Sequence, residues 1–475
     1  MRIRMTRAWT ALAAAALSWA ACGDRDESHT ANQASLSARP AAARLSPGVD
    51  LAGPIPPPPA AGTGASPDRQ VTPFDLGRDR RPVRLQIPEL AAGGSADIAA
   101  PGGATGWVTR IPESSQLPAA AFGDGRIYIT GGFAYYSFYA LAAETGRIEW
   151  AATGLDDNGP TAAVYQDGRV IFNTESCTLF ALDAKTGKKL WSRWLGDPTL
   201  AQVAVDGERV FAAHPSSPGG HSMLSAFRTR DGGPLWSRSV GGELLAAPVV
   251  AGGAVYASTI HGVTYRFDAA TGRRDWSRRL GATTAPWIAG DRLFVTRRRG
   301  KSEEQIVASA ATGAILAEHH VLEGGRQAAD VPVNLDSWPR LWAFEGSRPV
   351  VMGGVRYVAM AGELRATDAA SGAPLWARRF AAAPVSRSLG AVALAGAAVV
   401  VATSDGQLYG VDVDTGYTLW AYDLGQPVVA QPIVAGGWVY ATTAKGYVVG
   451  LAVADPTLDG WHMFGGSPGH NGPAS

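Results

Sequence analysis

The side chains best suited to metal binding or nucleophilic chemistry are few and scattered in this chain. Its eight histidines include two close pairs: His319 and His320 are adjacent, and His214 and His221 flank a Pro-Ser-Ser-Pro-Gly-Gly turn. Adjacent residues of a strand point to opposite faces and cannot converge on one metal ion, and histidines beside such a turn are typical of solvated loops. We therefore predict no catalytic, cofactor-binding or metal-binding residue.

The chain has two cysteines, Cys22 and Cys177. If Cys22 lies in a processed N-terminal segment, Cys177 has no disulfide partner within the chain, and a lone thiol cannot build a cysteine-based zinc site. Unpaired cysteines are among the most buried residues in proteins. We predict that Cys177 is a small buried residue of a strand.

The N-terminus has the pattern of a secretory signal. Three arginines precede a short apolar run over residues 8–21, which ends in small residues directly before Cys22. Residues 17–23 resemble the bacterial lipoprotein box, in which the cysteine is lipidated, although Trp19 replaces the usual aliphatic residue; ordinary cleavage near Ala21 is the alternative. Gly23 follows the cysteine and favours the outer membrane. The sequence predicts a signal over 1–22, with lipidation at Cys22.

Composition limits the classes of partner. The 475 residues include 46% hydrophobic and 17% charged residues, and the formal net charge is +1. Because no single-sign field exists to attract a polyanion, nucleic-acid binding is not expected.

Residues 23–102 are rich in Ala, Pro, Gly and Ser, including the run Pro-Ile-Pro-Pro-Pro-Pro over 54–59. Such composition buries little surface, so we predict a mostly disordered tether. The part over 73–90 is more apolar. It could be an ordered strand lying on the domain or a short partner motif, but a disordered linker is preferred.

A repeat governs the rest of the chain. The repeated motif begins with a small or acidic turn residue, which Thr-Gly follows. A tryptophan comes four residues after the glycine, as in Thr145-Gly146 with Trp150. The tryptophan positions of this motif, which we call the marks, recur about every 44 residues, a length that suits one four-stranded propeller blade. One copy has Ala317 in place of the tryptophan. The marks fall at Trp107, Trp150, Trp191, Trp236, Trp276, Ala317, Trp376, Trp420 and Trp461.

Eight tight turns, each followed by a β-rich strand, lie between these marks, for example Asp167-Gly168 before Val170. Such turns favour hairpins. We predict one all-β domain over 103–472, an eight-bladed β-propeller of four-stranded antiparallel blades. Because blade eight has no outer strand of its own, the N-terminal strand around Trp107 is expected to close it and remove both open edges.

Three exposed positions are candidate partner contacts. The longest repeat interval holds an insertion with Trp338 and Trp342. Aromatic residues on an exposed insertion can bind a partner, or they can pack onto the rim. Arg298 lies in the densest basic run, in the hairpin of blade five beside Glu303 and Glu304, where the main expectation is a solvated turn.

The repeat phrase resembles the tryptophan-docking motif of pyrroloquinoline-quinone-type propellers over about 103–472. The resemblance implies that each tryptophan packs against the next blade. The structural residues would be Trp107, Trp150, Trp191, Trp236, Trp276, Trp376 and Trp420.

Two branches of that family differ in function. Quinone-dependent dehydrogenases use the quinone with Ca²⁺ and typically a vicinal disulfide, but this chain has no Cys-Cys pair. The other branch comprises non-catalytic envelope lipoproteins that help to insert β-barrel proteins into the outer membrane. We expect a protein without a cofactor, anchored by lipid to the outer membrane and facing the periplasm. It would act as a monomer within a complex of envelope proteins, and the resemblance to this branch implies the barrel-assembly machinery as the candidate partner. A quinone-dependent dehydrogenase and a cell-wall or carbohydrate binder remain alternatives.

Overall fold

The regular secondary-structure elements in the described part of the protein are all strands. The computed structural model describes residues 78–99, 104–114, 116–132, 134–159, 161–196, 202–217, 221–299, 302–322, 349–360, 363–380, 389, 392–428 and 430–453. These residues form strands β1 to β34, arranged in eight sheets. No helix among them is long and apolar enough to cross a membrane.

Three strands come before the first complete blade. They are β1 (Val83–Arg84), β2 (Ser95–Ala99) and β3 (Thr105–Arg110). Blades one to four each run from an inner to an outer strand. Their strands are β4 (Ala121–Gly123), β5 (Arg126–Thr130), β6 (Ser137–Ala142), β7 (Ile148–Thr153); β8 (Val164–Gln166), β9 (Arg169–Phe172), β10 (Thr178–Asp183), β11 (Lys189–Trp194); β12 (Ala204–Asp206), β13 (Arg209–Pro215), β14 (Ser222–Arg228), β15 (Pro234–Ser239); β16 (Val249–Ala251), β17 (Ala254–Ser258), β18 (Val263–Asp268) and β19 (Arg274–Arg279).

Blades five to seven repeat this order, and blade eight supplies three strands of its own. The strands are β20 (Trp287–Ala289), β21 (Arg292–Arg299), β22 (Ser302–Ser309), β23 (Ile315–Leu322); β24 (Val350–Met352), β25 (Val355–Met360), β26 (Glu363–Asp368), β27 (Pro374–Arg379); β28 (Ala393–Ala395), β29 (Ala398–Ala402), β30 (Gln407–Asp412), β31 (Thr418–Asp423); β32 (Ile433–Ala435), β33 (Trp438–Thr442) and β34 (Tyr447–Ala452).

The predicted closure of the ring is confirmed. Strand β3 pairs antiparallel with β34, with Trp107 opposite Gly450, so the N-terminal strand becomes the fourth strand of blade eight. The eight-bladed, all-β architecture predicted from the repeat is confirmed as well.

The structure differs from the expected linker over 78–99. Strand β2 adds to the outer edge of β3, with Asp97 opposite Trp107, and β1 adds in parallel to β31 of blade seven, with Val83 opposite Tyr422. Leu85 is 2% exposed. The alternating apolar side chains of this stretch bury surface against the propeller, which offsets the entropy cost of ordering it.

The hydrophobic core lies in the seams between neighbouring blades. Between blades one and two, the rings of Phe138 and Phe172 stack with centroids 4.6 Å apart, and Phe172 stacks on Phe180 at 5.4 Å. All three side chains are fully buried. Burial of each such ring contributes about 1.5–3 kcal/mol, so adjacent blades are held together largely by apolar contacts.

Candidate protein-binding surface

In six of the eight seams a docking tryptophan joins the outer strand of one blade to the turn of the next. Trp107 Nε1 donates to the Ala143 carbonyl at 2.8 Å, and the acceptor lies three residues before the turn glycine, Gly146. The same bond recurs in five further seams. The pairs are Trp150 to Ala184 (2.9 Å), Trp191 to Thr229 (2.9 Å), Trp236 to Ala269 (3.0 Å), Trp276 to Ala310 (3.2 Å) and Trp376 to Val413 (2.8 Å). For Trp420, the buried Nε1 has no acceptor among the described residues.

Glycine is required where the indole ring covers the turn. At Gly187 the backbone has φ +70°, and a Cβ there would lie 2.5 Å from the Trp150 ring. The Asp183 carboxylate shapes this turn, because its Oδ1 accepts from the backbone N and hydroxyl of Thr186. The repeat aspartates therefore serve the turns, as turn chemistry predicts.

A second position, two residues after each docking tryptophan, covers the same turn. Thr109 Oγ1 donates to the Gly146 carbonyl at 2.6 Å, and Arg193 Nε donates to the Gly232 carbonyl at 2.5 Å. Arg238 Nε donates likewise to Gly272 at 2.7 Å. The side chain at this position therefore seals the seam above the tryptophan. Sequence reasoning missed this position, although aligning the repeats would have revealed its long polar side chains.

Blade five departs from the pattern. With Ala317 at the tryptophan position, the seam is covered instead by His319, two residues further along β23. A Cβ at Gly372 would lie 2.4 Å from His319 Nδ1. Burial lowers the pKa of His319, and the nearby Arg356 guanidinium lowers it further. His319 is thus half-buried in a seam rather than a solvated loop residue.

Blade one carries Ala152 at the sealing position, and its seam with blade two is open. A cavity of about 310 Å³ lies there, lined by residues 151–156 of blade one and by Phe180, Leu182, Gly187 and Lys189 of blade two. The ion pair Lys189–Asp156 spans its rim. We call this cavity the blade one–two groove.

Exposed apolar side chains lie on β11, whose Lys189 lines the blade one–two groove, and on the segment that precedes β6. Trp194 is 48% exposed and Leu190 is 44% exposed, both on β11. Trp194 shares a face of β11 with Ser192, which pairs with Phe180, so this face turns towards blade one. Tyr136, 50% exposed, precedes β6, and its carbonyl accepts from Leu155 N beside the groove. Exposed aromatic residues beside a groove are typical of protein-binding surfaces.

A pair of carboxyl groups lies between blades one and two at the loops that follow β7 and β9. Asp157 is 9% exposed and its Oδ2 accepts from Thr174 Oγ1 at 2.7 Å. Burial raises the pKa of Glu175 to about 7, and the Asp157 charge adds to the shift. Glu175 therefore titrates near neutral pH.

The structure describes only some of the candidate residues predicted from the sequence. Trp338, Trp342 and Cys22 lie outside the described residues, and of Arg298 the structure gives only its backbone in β21. Arg297, Arg298 and Arg299 of the basic run lie in strand β21, and Arg297 Nη2 lies 2.6 Å from Glu304 and 2.9 Å from Glu318. The register of β21, β22 and β23 brings these side chains together.

Cys177 is buried, as predicted, but it lies before β10 rather than within a strand. Its backbone has φ +61°, and its Sγ donates to the Ala213 carbonyl at 3.8 Å. The residues described here do not fit a calcium–quinone centre. They contain no cluster of three or more His, Cys, Asp or Glu side chains able to hold a metal ion, and Cys177 forms no vicinal disulfide.

Eight four-stranded blades, with a docking tryptophan hydrogen-bonded across six of the seams, define an eight-bladed propeller of pyrroloquinoline-quinone-like repeats. The family model described as outer membrane protein assembly factor BamB matches residues 93–318, 189–353 and 303–458. The chain belongs to this family.

Solved structures share the fold. BamB from Moraxella catarrhalis aligns with a TM-score of 0.55 and 16% identity, over 72% of this chain and 98% of that one. A quinohemoprotein alcohol dehydrogenase from Comamonas testosteroni aligns with a TM-score of 0.52 and 15% identity, over 72% and 75%.

Curated relatives match over a shorter stretch. A quinoprotein ethanol dehydrogenase from Pseudomonas putida is 30% identical in an alignment of 138 positions that covers 25% of this chain and 22% of the enzyme. A polyvinylalcohol dehydrogenase from Sphingopyxis is 32% identical over 104 residues, 20% and 15% of the two chains. The chain thus spans about a fifth of the length of the dehydrogenases that it matches.

Proposed function

We propose that this chain is a non-catalytic, protein-binding scaffold of the bacterial cell envelope that acts in the assembly of outer-membrane β-barrel proteins. The observation that carries the proposal is the addition of β1 and β2 to the outer edges of blades seven and eight. In both contacts an outer strand pairs with an extended segment of the chain itself, which supports strand addition as the mode of partner binding. Membership of the BamB family supports the link to barrel assembly.

The outer edges of the other blades provide the partner sites in this proposal. In the described part of the chain, the outer strands of blades one to six carry no added strand. A partner that adds a strand to such an edge gains main-chain hydrogen bonds, while side-chain contacts give specificity. Trp338 and Trp342, in the insertion between the sequences of blades five and six, and Arg298 in blade five are proposed as additional contacts.

The proposal includes a lipid anchor at Cys22. Lipidation of Cys22 would hold the propeller at the periplasmic face of the outer membrane, and the Pro- and Ala-rich residues that follow would act as a tether. A Cys22→Ser chain should therefore lose incorporation of radiolabelled palmitate and leave the membrane fraction. Labelling of the Cys22→Ser chain at the wild-type level would refute the anchor.

The experiment that tests the assembly role is deletion of the chain in its native bacterium. Folded barrel proteins in the outer membrane should fall several-fold and recover when the wild-type chain is restored. Unchanged levels and folding rates of barrel proteins after deletion would refute the role.

A second candidate is a quinone-dependent dehydrogenase, which the 30% identity to the quinoprotein ethanol dehydrogenase favours. The test is addition of pyrroloquinoline quinone and Ca²⁺ to the purified chain, followed by dye reduction with ethanol. The scaffold proposal expects no turnover above a control without protein. Turnover that depends on both the quinone and Ca²⁺ would refute the scaffold proposal and support the dehydrogenase.

A further inference from the structure

The chain's own N-terminal segment illustrates how an extended peptide uses the propeller edge. Strand β2 pairs with β3, and Ser95 Oγ reaches the Gly146 carbonyl of blade one at 3.2 Å. Near β1, Asp79 enters the seam beside blade seven, where its Oδ1 accepts from Thr418 N. In both places an added segment pairs along an outer strand and places one polar side chain in the adjoining seam.

The blade one–two groove has such an edge and an unfilled seam. Strand β7 is the outer strand of blade one and no described strand pairs with its outer edge. In the described part of the chain no hydrogen bond reaches the Gly187 carbonyl, whereas the equivalent carbonyls of Gly232 and Gly272 accept from arginines. The groove has a volume of about 310 Å³, whereas one ordered water needs only about 10–15 Å³ measured in the same way, so a long side chain can enter.

The chemistry of the groove favours one kind of occupant. Arginine fills the equivalent space in the next two seams, and its guanidinium donates several hydrogen bonds in a fixed plane. The carboxylate of Asp156 on the rim is ion-paired with Lys189, so an inserted arginine would compete with Lys189 for it. The exposed rings of Trp194 and Tyr136 offer apolar contact area beside it.

We propose that the blade one–two groove binds an extended segment of a partner protein by strand addition to β7, with an arginine of that segment inserted above Gly187. The segment carries apolar residues next to the arginine, which contact Trp194. This inference rests on the proposed protein-binding function and assigns it a surface.

The test uses the purified full chain and short fluorescein-labelled peptides of alternating valine and threonine with arginine or glutamate at the centre. Fluorescence anisotropy should show the arginine peptide binding about tenfold more tightly than the glutamate peptide. Methylation of the backbone nitrogens on one edge of the arginine peptide should abolish binding, because strand addition needs those donors. Equal affinity for both peptides, or no binding of either, would overturn the proposal.

The matched variants are Ala152→Arg and Ser239→Arg, which add the same charge to the outer strands of blades one and three. Ala152→Arg should weaken peptide binding about tenfold or more and leave the melting temperature unchanged or higher, because the new guanidinium seals the seam as Arg193 does. Ser239→Arg should leave the affinity unchanged. A second variant, Trp194→Ala, should weaken binding several-fold without unfolding the chain, since the ring is half-exposed.

Wild-type affinity in the folded Ala152→Arg chain would overturn the groove assignment. The assay uses synthetic peptides, so it can fail while barrel assembly still depends on the chain. In that case the scaffold function would stand and its binding surface would lie elsewhere.

Discussion

Asp79 and Arg378 form a buried ion pair that joins the N-terminal segment to blade six. Asp79 Oδ1 lies 2.7 Å from Arg378 Nη2, and the two side chains are 0% and 5% exposed. The same oxygen accepts from Thr418 N of blade seven at 2.7 Å. One carboxylate therefore ties the entering chain to two blades, directly before the strands that it adds to blades seven and eight.

Loss of the Asp79 carboxylate should destabilise the propeller strongly. Asp79→Ala leaves the Arg378 guanidinium buried without its counter-charge, and breaking such a pair from one side costs about 3–5 kcal/mol. Chemical denaturation of the wild-type and variant chains measures the difference in the free energy of unfolding. The control is Arg84→Gln, which removes an ion pair to Asp423 in which Arg84 is 57% exposed and should cost less than about 1 kcal/mol. Equal effects of the two variants would refute the structural role of Asp79.

The docking tryptophans should contribute through both packing and one hydrogen bond. Trp236 is 8% exposed, and we expect Trp236→Ala to cost about 3–5 kcal/mol. Trp236→Phe retains most of the packing but leaves the Ala269 carbonyl without its donor, at a cost of about 1–3 kcal/mol. Denaturant titration provides the measurement. Trp194→Phe, at a half-exposed ring, should stay within about 0.5 kcal/mol; a comparable loss there would contradict the distinction between docking and exposed tryptophans.

Replacement of Arg356 should stabilise the chain. Arg356 is 1% exposed, its Nη1 has no hydrogen-bond partner, and burial together with the Arg365 charge lowers its pKa to about 9. Its Nε donates to Thr367 Oγ1 at 2.9 Å. Arg356→Met removes the cost of burying the cation, so we expect the free energy of unfolding to rise by about 1–2 kcal/mol.

The contrasting variant is Arg365→Met. It breaks the ion pair with Glu363, whose side chain is 6% exposed, and should lower the melting temperature. If Arg356→Met lowered it as much, Arg356 would have to be a structural contact rather than an uncompensated charge.

Glu175 should make stability depend on pH. Its folded-state pKa of about 7 lies above the ordinary value of 4.5, so between these values the folded state retains a proton that the unfolded state releases. The stability of the wild-type chain should therefore fall as pH rises from about 4.5 to 7 and remain lower above that. Because the carboxyl is partly screened by solvent, the loss should be about 1–2 kcal/mol.

Glu175→Gln keeps the shape of the side chain and removes its titration. This variant should match the wild type at pH 4 and exceed it at pH 8 in thermal melts. Parallel melting curves of the two chains across this range would refute the assignment of the pH dependence to Glu175.

The repeat made the architecture predictable, because tryptophan and turn marks about 44 residues apart report blade number and closure without any non-local information. Trp107 could be assigned to blade eight because that blade lacks its own outer strand. The repeat pattern could not predict side-chain contacts between residues that are far apart in the chain. The Asp79–Arg378 pair joins residues far apart in the chain, and the residues that Arg297 pairs with depend on the register of three strands.

The blade one–two groove left a weak signal in the sequence. Alanine occupies position 152, where other repeats have Arg193, Arg238 or Thr109. The sequence does not show that the side chain at this position covers the turn of the next blade, so it could not predict that the seam is open. Only the seam geometry relates position 152 to the Gly187 carbonyl. His319 is a similar case, since its role follows from the small residue at position 317.

The most direct test of the scaffold account is crosslinking in intact cells with a tagged chain that retains Cys22, followed by identification of the captured proteins. The account predicts capture of the barrel-insertion machinery, and loss of that capture when the propeller contact surfaces are substituted in a chain that still folds. Capture of unrelated envelope proteins only, or of none, would contradict it.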